Sequence, residues 1–154
     1  MDEPQFACDA MLGTLARWLR FAGFDTSFDP ALSDPALAAA ARREGRWLLT
    51  RDRLLAAVAG PRVVMLRRPD LAGQVGELRS RLALAADPGR AFTRCSRCNG
   101  ALEPVAGAVV ADLVPPFVAA NASRFVRCPG CRRVYWPGTH AERISIRVRE
   151  LFGP

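Results

Sequence analysis

The alternation of short apolar runs with helical patterns across residues 5–86 is the feature that most constrains the fold. Four runs have the length of strands, and each is followed by apolar residues at helical spacing. The runs lie at residues 6–8, 24–28, 47–50 and 62–66. Strands that alternate with helices over short connections favour a mostly parallel sheet with right-handed crossovers and helices on both faces. We therefore predict an α/β fold for the first part of the chain.

A different type of sequence begins after residues 87–89, an Asp-Pro-Gly segment at which the alternation stops. We place the domain boundary there, and we predict one domain over residues 1–88 and a smaller one with a C-terminal segment over residues 89–154. Residues 144–149 alternate apolar side chains with Arg or Ser, which fits either a strand or a helix with Arg facing outward.

Four of the five cysteines form two C-x2-C pairs, Cys95 with Cys98 and Cys128 with Cys131, and 29 residues separate the pairs. Thiolates two residues apart on a tight turn can bind one tetrahedral cation, and two such turns close a structural zinc site with four sulfur ligands. Disulfide bonds are the alternative. No export signal is visible, and the spacing therefore favours zinc in a reducing compartment.

The basic residues are unevenly distributed, and all 22 of them are Arg. Residues 1–60 contain 7 Arg against 8 acidic residues, whereas residues 61–154 contain 15 Arg against 7 acidic residues. An acidic front half joined to a basic back half favours a cation-binding site beside a surface that binds polyanions. A basic surface that serves only solubility is the alternative.

Arginines surround the cysteine pairs, and two aromatic residues follow the second pair. Guanidinium groups with a stacking aromatic on a small ribbon favour single-stranded nucleic acid as the partner. We assign Trp136 mainly to packing, and His140 to a structural hydrogen bond or a phosphate contact. The predicted nucleic-acid contacts of the ribbon are Arg94, Arg97, Arg127, Arg132, Arg133 and Tyr135.

Three acids, Asp9, Asp34 and Asp52, follow predicted strands or open predicted helices. In a parallel sheet the carboxyl ends of the strands meet at one edge, where ligands of open α/β sheets bind. Carboxylates that converge there repel one another unless a hard cation such as Mg²⁺ or Mn²⁺ lies between them. The alternative is three independent helix caps, because each acid also precedes a helix.

These motifs in combination resemble the Mut-seven C-terminal RNase domain family. The resemblance rests on DAMLGTLARWLRFAGFD, Asp34, LLTRD at residues 48–52, the two cysteine pairs and VYWPGTH. It implies a PIN-like fold with a zinc ribbon and a metal-dependent RNase activity. Asp9, Asp34 and Asp52 would be its catalytic residues and Mg or Mn ligands, and Thr50 would orient Asp52.

The resemblance leaves a fourth acid unassigned, because residues 53–55 contain none. Asp25, Asp29 and Asp70 are the alternatives, and the number of catalytic metals depends on which of them contributes. On the first helix, Thr14 stands where members of the family often have a basic residue, so we expect Arg17 to contact phosphate. Arg20 on the same helix is also a predicted RNA contact.

We therefore predict a hydrolase that cleaves RNA with Mg or Mn and carries a structural zinc. A non-catalytic RNA-binding protein is one alternative, and a toxin-like or scaffold protein acting through a protein partner is another. No apolar run approaches the roughly 20 residues that a membrane span needs, so we expect a cytoplasmic protein without membrane contacts. A homodimer or a protein partner is left open.

Overall fold

A four-stranded parallel sheet lies at the centre of the computed structural model, which describes residues 3–153. Its strands are β1 (Phe6–Cys8), β2 (Thr26–Phe28), β3 (Trp47–Thr50) and β4 (Val63–Met65). Helices α1 (Gly13–Phe21), α2 (Asp34–Glu44), α3 (Arg53–Val58) and α4 (Leu71–Leu82) follow these strands in turn. The strand order is β2-β1-β3-β4, with every pair parallel. The predicted α/β fold is confirmed.

Alternate residues of the strands face two separate cores, as the pleat of a sheet requires. Phe6, Cys8 and Leu49 lie in the larger core, to which α1 and α4 also contribute. Ala7 and Leu48 lie in the smaller core with apolar residues of α2 and α3. Because both faces are covered, β1, β3 and β4 are apolar along almost their whole length, whereas the edge strand β2 contains Thr26 and Ser27.

The helix starts and ends follow ordinary capping chemistry. The Ser33 hydroxyl accepts a hydrogen bond from the N–H of Ala36 and caps α2, which ends at Gly45 with a left-handed φ of 68°. Asp52 caps α3, and Asp70 caps α4. These caps place the starts of α2 and α3 beside the carboxyl ends of the strands, where the candidate site lies.

The cysteine-containing part of the chain forms a second, antiparallel sheet with a small core of its own. Its strands are β5 (Glu103–Val105), β6 (Phe125–Arg127) and β7 (Val134–Tyr135), in the order β5-β6-β7. Two short helices, α5 (Gly107–Val110) and α6 (Pro116–Asn121), fill the connection between the cysteine pairs. Val110, Val114 and Phe125 are buried between these elements, and Trp136 packs against them. Trp136 therefore packs within the ribbon.

The last helix, α7 (Thr139–Phe152), packs against the first sheet. Residues 144–149, for which the sequence allowed a strand or a helix, are therefore helical. Val148, Leu151 and Phe152 lie in the larger core with α1 and α4, and the rings of Phe152 and Phe24 are 6.0 Å apart. Although α7 follows the ribbon in the chain, it packs against helices of the parallel sheet. The domain boundary after residue 88 stays a prediction. Across residues 3–153, neither α7 nor another helix combines the length and apolarity needed to cross a bilayer.

Candidate active site and metal centre

Asp9 and Asp29 both lie at the carboxyl edge of the sheet, which we define as the ends of β1, β2 and β3. Cys8 pairs with Phe28 as the last residues of β1 and β2, and Asp9 and Asp29 directly follow these two neighbouring strands. Asp9 is only 7% exposed, whereas Asp29 is exposed. The register thus places two acids that are 20 positions apart in the sequence at the same edge of the sheet.

Thr50 connects Asp9 with Asp52. Its buried hydroxyl donates a hydrogen bond to Oδ2 of Asp9 over 2.8 Å and accepts one from the N–H of Asp52 over 2.9 Å. Oδ1 of Asp9 accepts a hydrogen bond from the N–H of Ala10 over 2.6 Å. The resemblance led us to expect that Thr50 orients Asp52, and its hydroxyl bonds both to the backbone of Asp52 and to the carboxylate of Asp9.

The three predicted acids are held in different ways. Oδ1 of Asp52 accepts hydrogen bonds from the N–H groups of Leu54 and Leu55, so this acid is also a helix cap. Asp34 is the exposed first residue of α2, and Ser33 is the cap. The carboxylates of Asp9, Asp34 and Asp52 do not form a group within 4.8 Å of one another among residues 3–153.

The alternatives for a fourth acid lie at different places in the fold. Asp25 precedes β2 at the opposite end of the strand, and it is paired with Arg46 over 2.6 Å. Burial raises its pKa, but hydrogen bonds from Arg46 and Asn99 outweigh this effect and hold the pKa of Asp25 below its ordinary value. Asp70 caps α4 through the N–H of Gly73. Asp29 is the alternative that the register places at the same edge as Asp9.

The four cysteines of the two pairs converge in the ribbon. Their Sγ atoms all lie within 4.8 Å of one another. Cys95 and Cys131 are 3.6 Å apart, and Cys98 and Cys128 are 3.4 Å apart. A tetrahedral zinc with Zn–S bonds of about 2.3 Å separates its sulfur ligands by about 3.8 Å. The predicted ligand set therefore fits one zinc ion.

The two cysteine turns have the same backbone geometry. We call residues 95–98 the first knuckle and residues 128–131 the second knuckle. Asn99 and Arg132 each lie four residues after the first cysteine of their knuckle, and both have left-handed backbones, with φ of 72° and 64°. Their N–H groups donate to the carbonyls of Cys95 and Cys128 over 2.9 and 2.8 Å. Both turns are closed by the backbone itself.

A tyrosine hydroxyl lies against the thiol cluster. The Tyr135 oxygen is 3.1 Å from Sγ of Cys95 and 3.3 Å from the hydroxyl oxygen of Ser96. Burial raises the pKa of Cys95, but hydrogen bonds from Tyr135 and from the backbone of Cys98 and Arg97 outweigh it and lower the pKa to about 6. This lowered pKa favours the thiolate form of Cys95, the form in which cysteine binds zinc. Tyr135, which we predicted to stack on RNA, uses its hydroxyl here.

The arginines predicted to contact RNA fall into buried and exposed groups. Arg20 is only 4% exposed, and its guanidinium bonds to three backbone carbonyls, so it lies in the interior and not on an RNA-binding surface. Arg94 is half-buried and pairs with Asp25 over 3.5 Å. The exposed members are Arg17, Arg97, Arg132 and Arg133, while Arg127 is half-buried on β6.

Two of the exposed arginines lie beside aromatic rings. The Arg17 guanidinium lies 5.4 Å from the ring centre of Phe21, a residue one turn further along α1. Arg133 lies 5.8 Å from the ring centre of Tyr135. His140 is exposed in the first turn of α7. These positions leave the guanidinium groups open to a polyanion.

The fold and these two sites define a class of protein, an α/β domain with an acidic carboxyl edge joined to a four-cysteine ribbon. A comparison with protein families matches residues 4–148 to the Mut7-C RNAse domain. The chain therefore belongs to the Mut7-C RNAse domain family, which indicates a nuclease-type function. Comparisons with curated proteins and with solved structures gave no match.

The sequence analysis missed the role of Asn99. Its side-chain oxygen accepts a hydrogen bond from the N–H of Thr26 over 2.9 Å, and its amide nitrogen donates to Oδ1 of Asp25 over 2.7 Å. An Asn-Gly dipeptide directly after a cysteine pair is a signal for a left-handed turn. That signal predicts the backbone of Asn99, but the partner of its side chain is 73 residues away.

Proposed function

We propose that this protein is a metal-dependent ribonuclease that hydrolyses RNA phosphodiester bonds at the carboxyl edge of the sheet. The observation that carries the proposal is the Thr50 hydroxyl, which holds the buried carboxylate of Asp9 and the backbone of Asp52 together. A buried acid kept in one orientation at a strand end is typical of a binding site in an open α/β sheet. Membership of an RNAse domain family supports the same reaction.

Asp9, Asp34 and Asp52 would hold Mg²⁺ or Mn²⁺, and Asp29 is the acid we propose as the fourth ligand. Mg²⁺ in proteins keeps several of its waters and needs only one or two carboxylates directly, so the observed spread of the acids fits such an ion. When bound, the metal supplies an activated water and stabilises the charge that develops on the phosphate. Thr50 keeps Asp9 oriented, and Asp9 is largely shielded from water by its burial.

We propose that the ribbon holds one structural zinc and directs single-stranded RNA toward the sheet. The exposed Arg97, Arg132 and Arg133 surround the knuckles and are free to bind phosphate. A reducing compartment such as the cytoplasm would keep the four thiols available to the metal.

The assignment is tested by incubating zinc-loaded protein with single-stranded RNA and Mn²⁺. Asp9→Asn is expected to lower the cleavage rate by about 100-fold or more, the size of effect typical of losing a catalytic group. Asp112→Asn, an exposed acid of the ribbon, is the matched control and is expected to cleave normally. Equal cleavage by Asp9→Asn would refute the assignment.

Two further measurements separate the parts of the proposal. Metal analysis is expected to find about one zinc per chain, and Cys131→Ser is expected to lose it. RNA affinity is expected to fall steeply with salt, because phosphate contacts release counterions. Salt-dependent binding with no cleavage of RNA would instead favour the non-catalytic RNA-binding protein.

A further inference from the structure

Two side chains join the first knuckle to the edge strand of the parallel sheet, and both bond to Thr26. Thr26 is the first residue of β2 and is completely buried. Oδ1 of Asn99 accepts a hydrogen bond from the Thr26 N–H over 2.9 Å, and Nε of Arg20 donates one to the Thr26 carbonyl over 2.9 Å. Both backbone polar groups of a buried residue are thus paired with side chains from outside the strand.

These bonds cover the free side of an edge strand. The carbonyl of Asp25 accepts a hydrogen bond from the N–H of Phe6 in β1, so the backbone groups of the next residue, Thr26, face away from the sheet. Without Asn99 and Arg20, a buried N–H and a buried carbonyl would have no partner. An unpaired buried backbone group is costly, so the start of β2 depends on these two side chains.

The same two side chains are held by the first knuckle. Nη1 of Arg20 donates to the carbonyls of Ser96 and Arg97 over 3.3 and 3.1 Å. Asn99 directly follows Cys98, and its left-handed turn is closed by a bond from its N–H to the Cys95 carbonyl. The positions of both side chains therefore follow the conformation of the turn that carries two of the four thiols.

The Asp25 carboxylate fixes the orientation of the Asn99 amide. Oδ1 of Asp25 accepts hydrogen bonds from Nδ2 of Asn99 over 2.7 Å and from Nη1 of Arg46 over 2.6 Å, and Oδ2 lies 3.5 Å from Nη2 of Arg94. Because an ionised carboxylate can only accept, the NH₂ end of the amide must face Asp25 and its oxygen must face Thr26. The contact is therefore built in one orientation only.

We propose that Arg20 and Asn99 are positioning residues that couple metal loading of the ribbon to the order of β2, and through it to the placement of Asp29 at the end of that strand. Without a metal, no coordinate bonds join the thiols of the two knuckles, and the first knuckle is held only by its own backbone turn and by hydrogen bonds such as that of Tyr135. A shift of this knuckle would take its carbonyls and the Asn99 side chain away from Arg20 and Thr26. The proposal rests on zinc in the ribbon, but it does not require that the protein cleaves RNA.

The test is amide hydrogen exchange of β2, measured without RNA and without Mn²⁺. A zinc-selective chelator is expected to speed exchange of the Thr26 amide about tenfold in the wild-type protein. Asn99→Gly removes the side chain, and glycine accepts the left-handed backbone at this position. In this variant the Thr26 amide is expected to exchange fast even with zinc present, and the chelator is expected to change its exchange rate less than twofold. Arg20→Met is expected to behave in the same way.

Control variants separate coupling from general loss of stability. Asn121→Gly makes the same substitution at the end of α6, and Arg42→Met removes an exposed arginine of α2. Both are expected to keep slow, zinc-dependent exchange at Thr26. Coupled equilibria are reciprocal, so Asn99→Gly should also bind zinc more weakly in a competition titration. The loss of zinc affinity should equal the factor by which zinc slows exchange of the Thr26 amide in the wild type.

An activity measurement adds a readout that stability alone would not change. If Asp29 is displaced, Asn99→Gly at full zinc loading should lower kcat about tenfold while KM for RNA stays the same. The proposal is overturned if chelation speeds exchange in β6 and β7 but leaves β2 unchanged, or if Asn121→Gly speeds β2 as much as Asn99→Gly does. Exchange unchanged by the chelator in both sheets would also overturn it, without bearing on the ribonuclease assignment.

Discussion

Replacing Thr50 with Val tests whether the hydrogen-bonded link between Asp9 and Asp52 holds the acidic edge together. Val has nearly the shape of Thr, so the change removes a hydroxyl without opening a cavity. The Thr50 hydroxyl is completely buried and bonds to a carboxylate, and such a bond contributes about 1.5–3 kcal/mol. The change also leaves the half-buried N–H of Asp52 without its acceptor, which costs about 1 kcal/mol. We expect the free energy of unfolding to fall by about 3 kcal/mol.

Urea denaturation measures this loss directly. With a slope of about 2 kcal/mol per molar urea, the midpoint should fall by about 1.5 M. Thr50→Ser keeps the hydroxyl and should lose less than half as much. Thr93→Val, which removes an exposed hydroxyl bonded to the Arg90 carbonyl, should change the midpoint little. The rate at which Thr50→Val cleaves RNA should fall, because the Asp9 carboxylate is no longer held in one orientation. A midpoint unchanged from wild type would show that the Thr50 hydroxyl does not hold Asp9 and Asp52 together.

Three further predictions concern other parts of the fold. Phe152→Ala should destabilise the protein by about 3–5 kcal/mol in the same urea assay, because the ring is fully buried in the larger core, and a loss below about 1 kcal/mol would contradict that packing. Gly100→Ala should weaken zinc binding at least tenfold in a chelator competition, since its Cβ would lie 2.7 Å from Sγ of Cys128, and unchanged affinity would contradict the close approach. The pKa of Asp25 is held low in the folded state, so its contribution to stability is present above its ordinary value of 3.8 and is lost as the pH falls through the folded value. Urea midpoints measured between pH 2 and 6 should therefore vary less for Asp25→Asn than for the wild type, and equal pH dependence would contradict this role.

Local patterns in the sequence were enough to predict the α/β class and the ribbon. Apolar runs with periods of two and of about 3.6 depend only on neighbouring residues, and they indicate the strands and helices of residues 5–86. The C-x2-C spacing likewise depends on a few neighbouring residues, and the four predicted thiols do converge. The acids at 9 and 52 were placed at one edge because all strands of a parallel sheet end on the same side.

Contacts between distant segments were decided only by the tertiary structure. No periodicity distinguishes a buried Arg20 from an exposed Arg17 three residues earlier, because burial of Arg20 depends on carbonyls at 96 and 97. The helix or strand choice for residues 144–149 was settled by packing of α7 into the core of the first sheet. The spacing of apolar residues indicates which secondary structure each segment can form. The partner of a polar side chain depends instead on which segments meet in space. The positions of Asp9 and Asp52 after strands and the convergence of the four thiols could therefore be predicted from the sequence, but the contacts of Thr50, Arg20 and Asn99 could not.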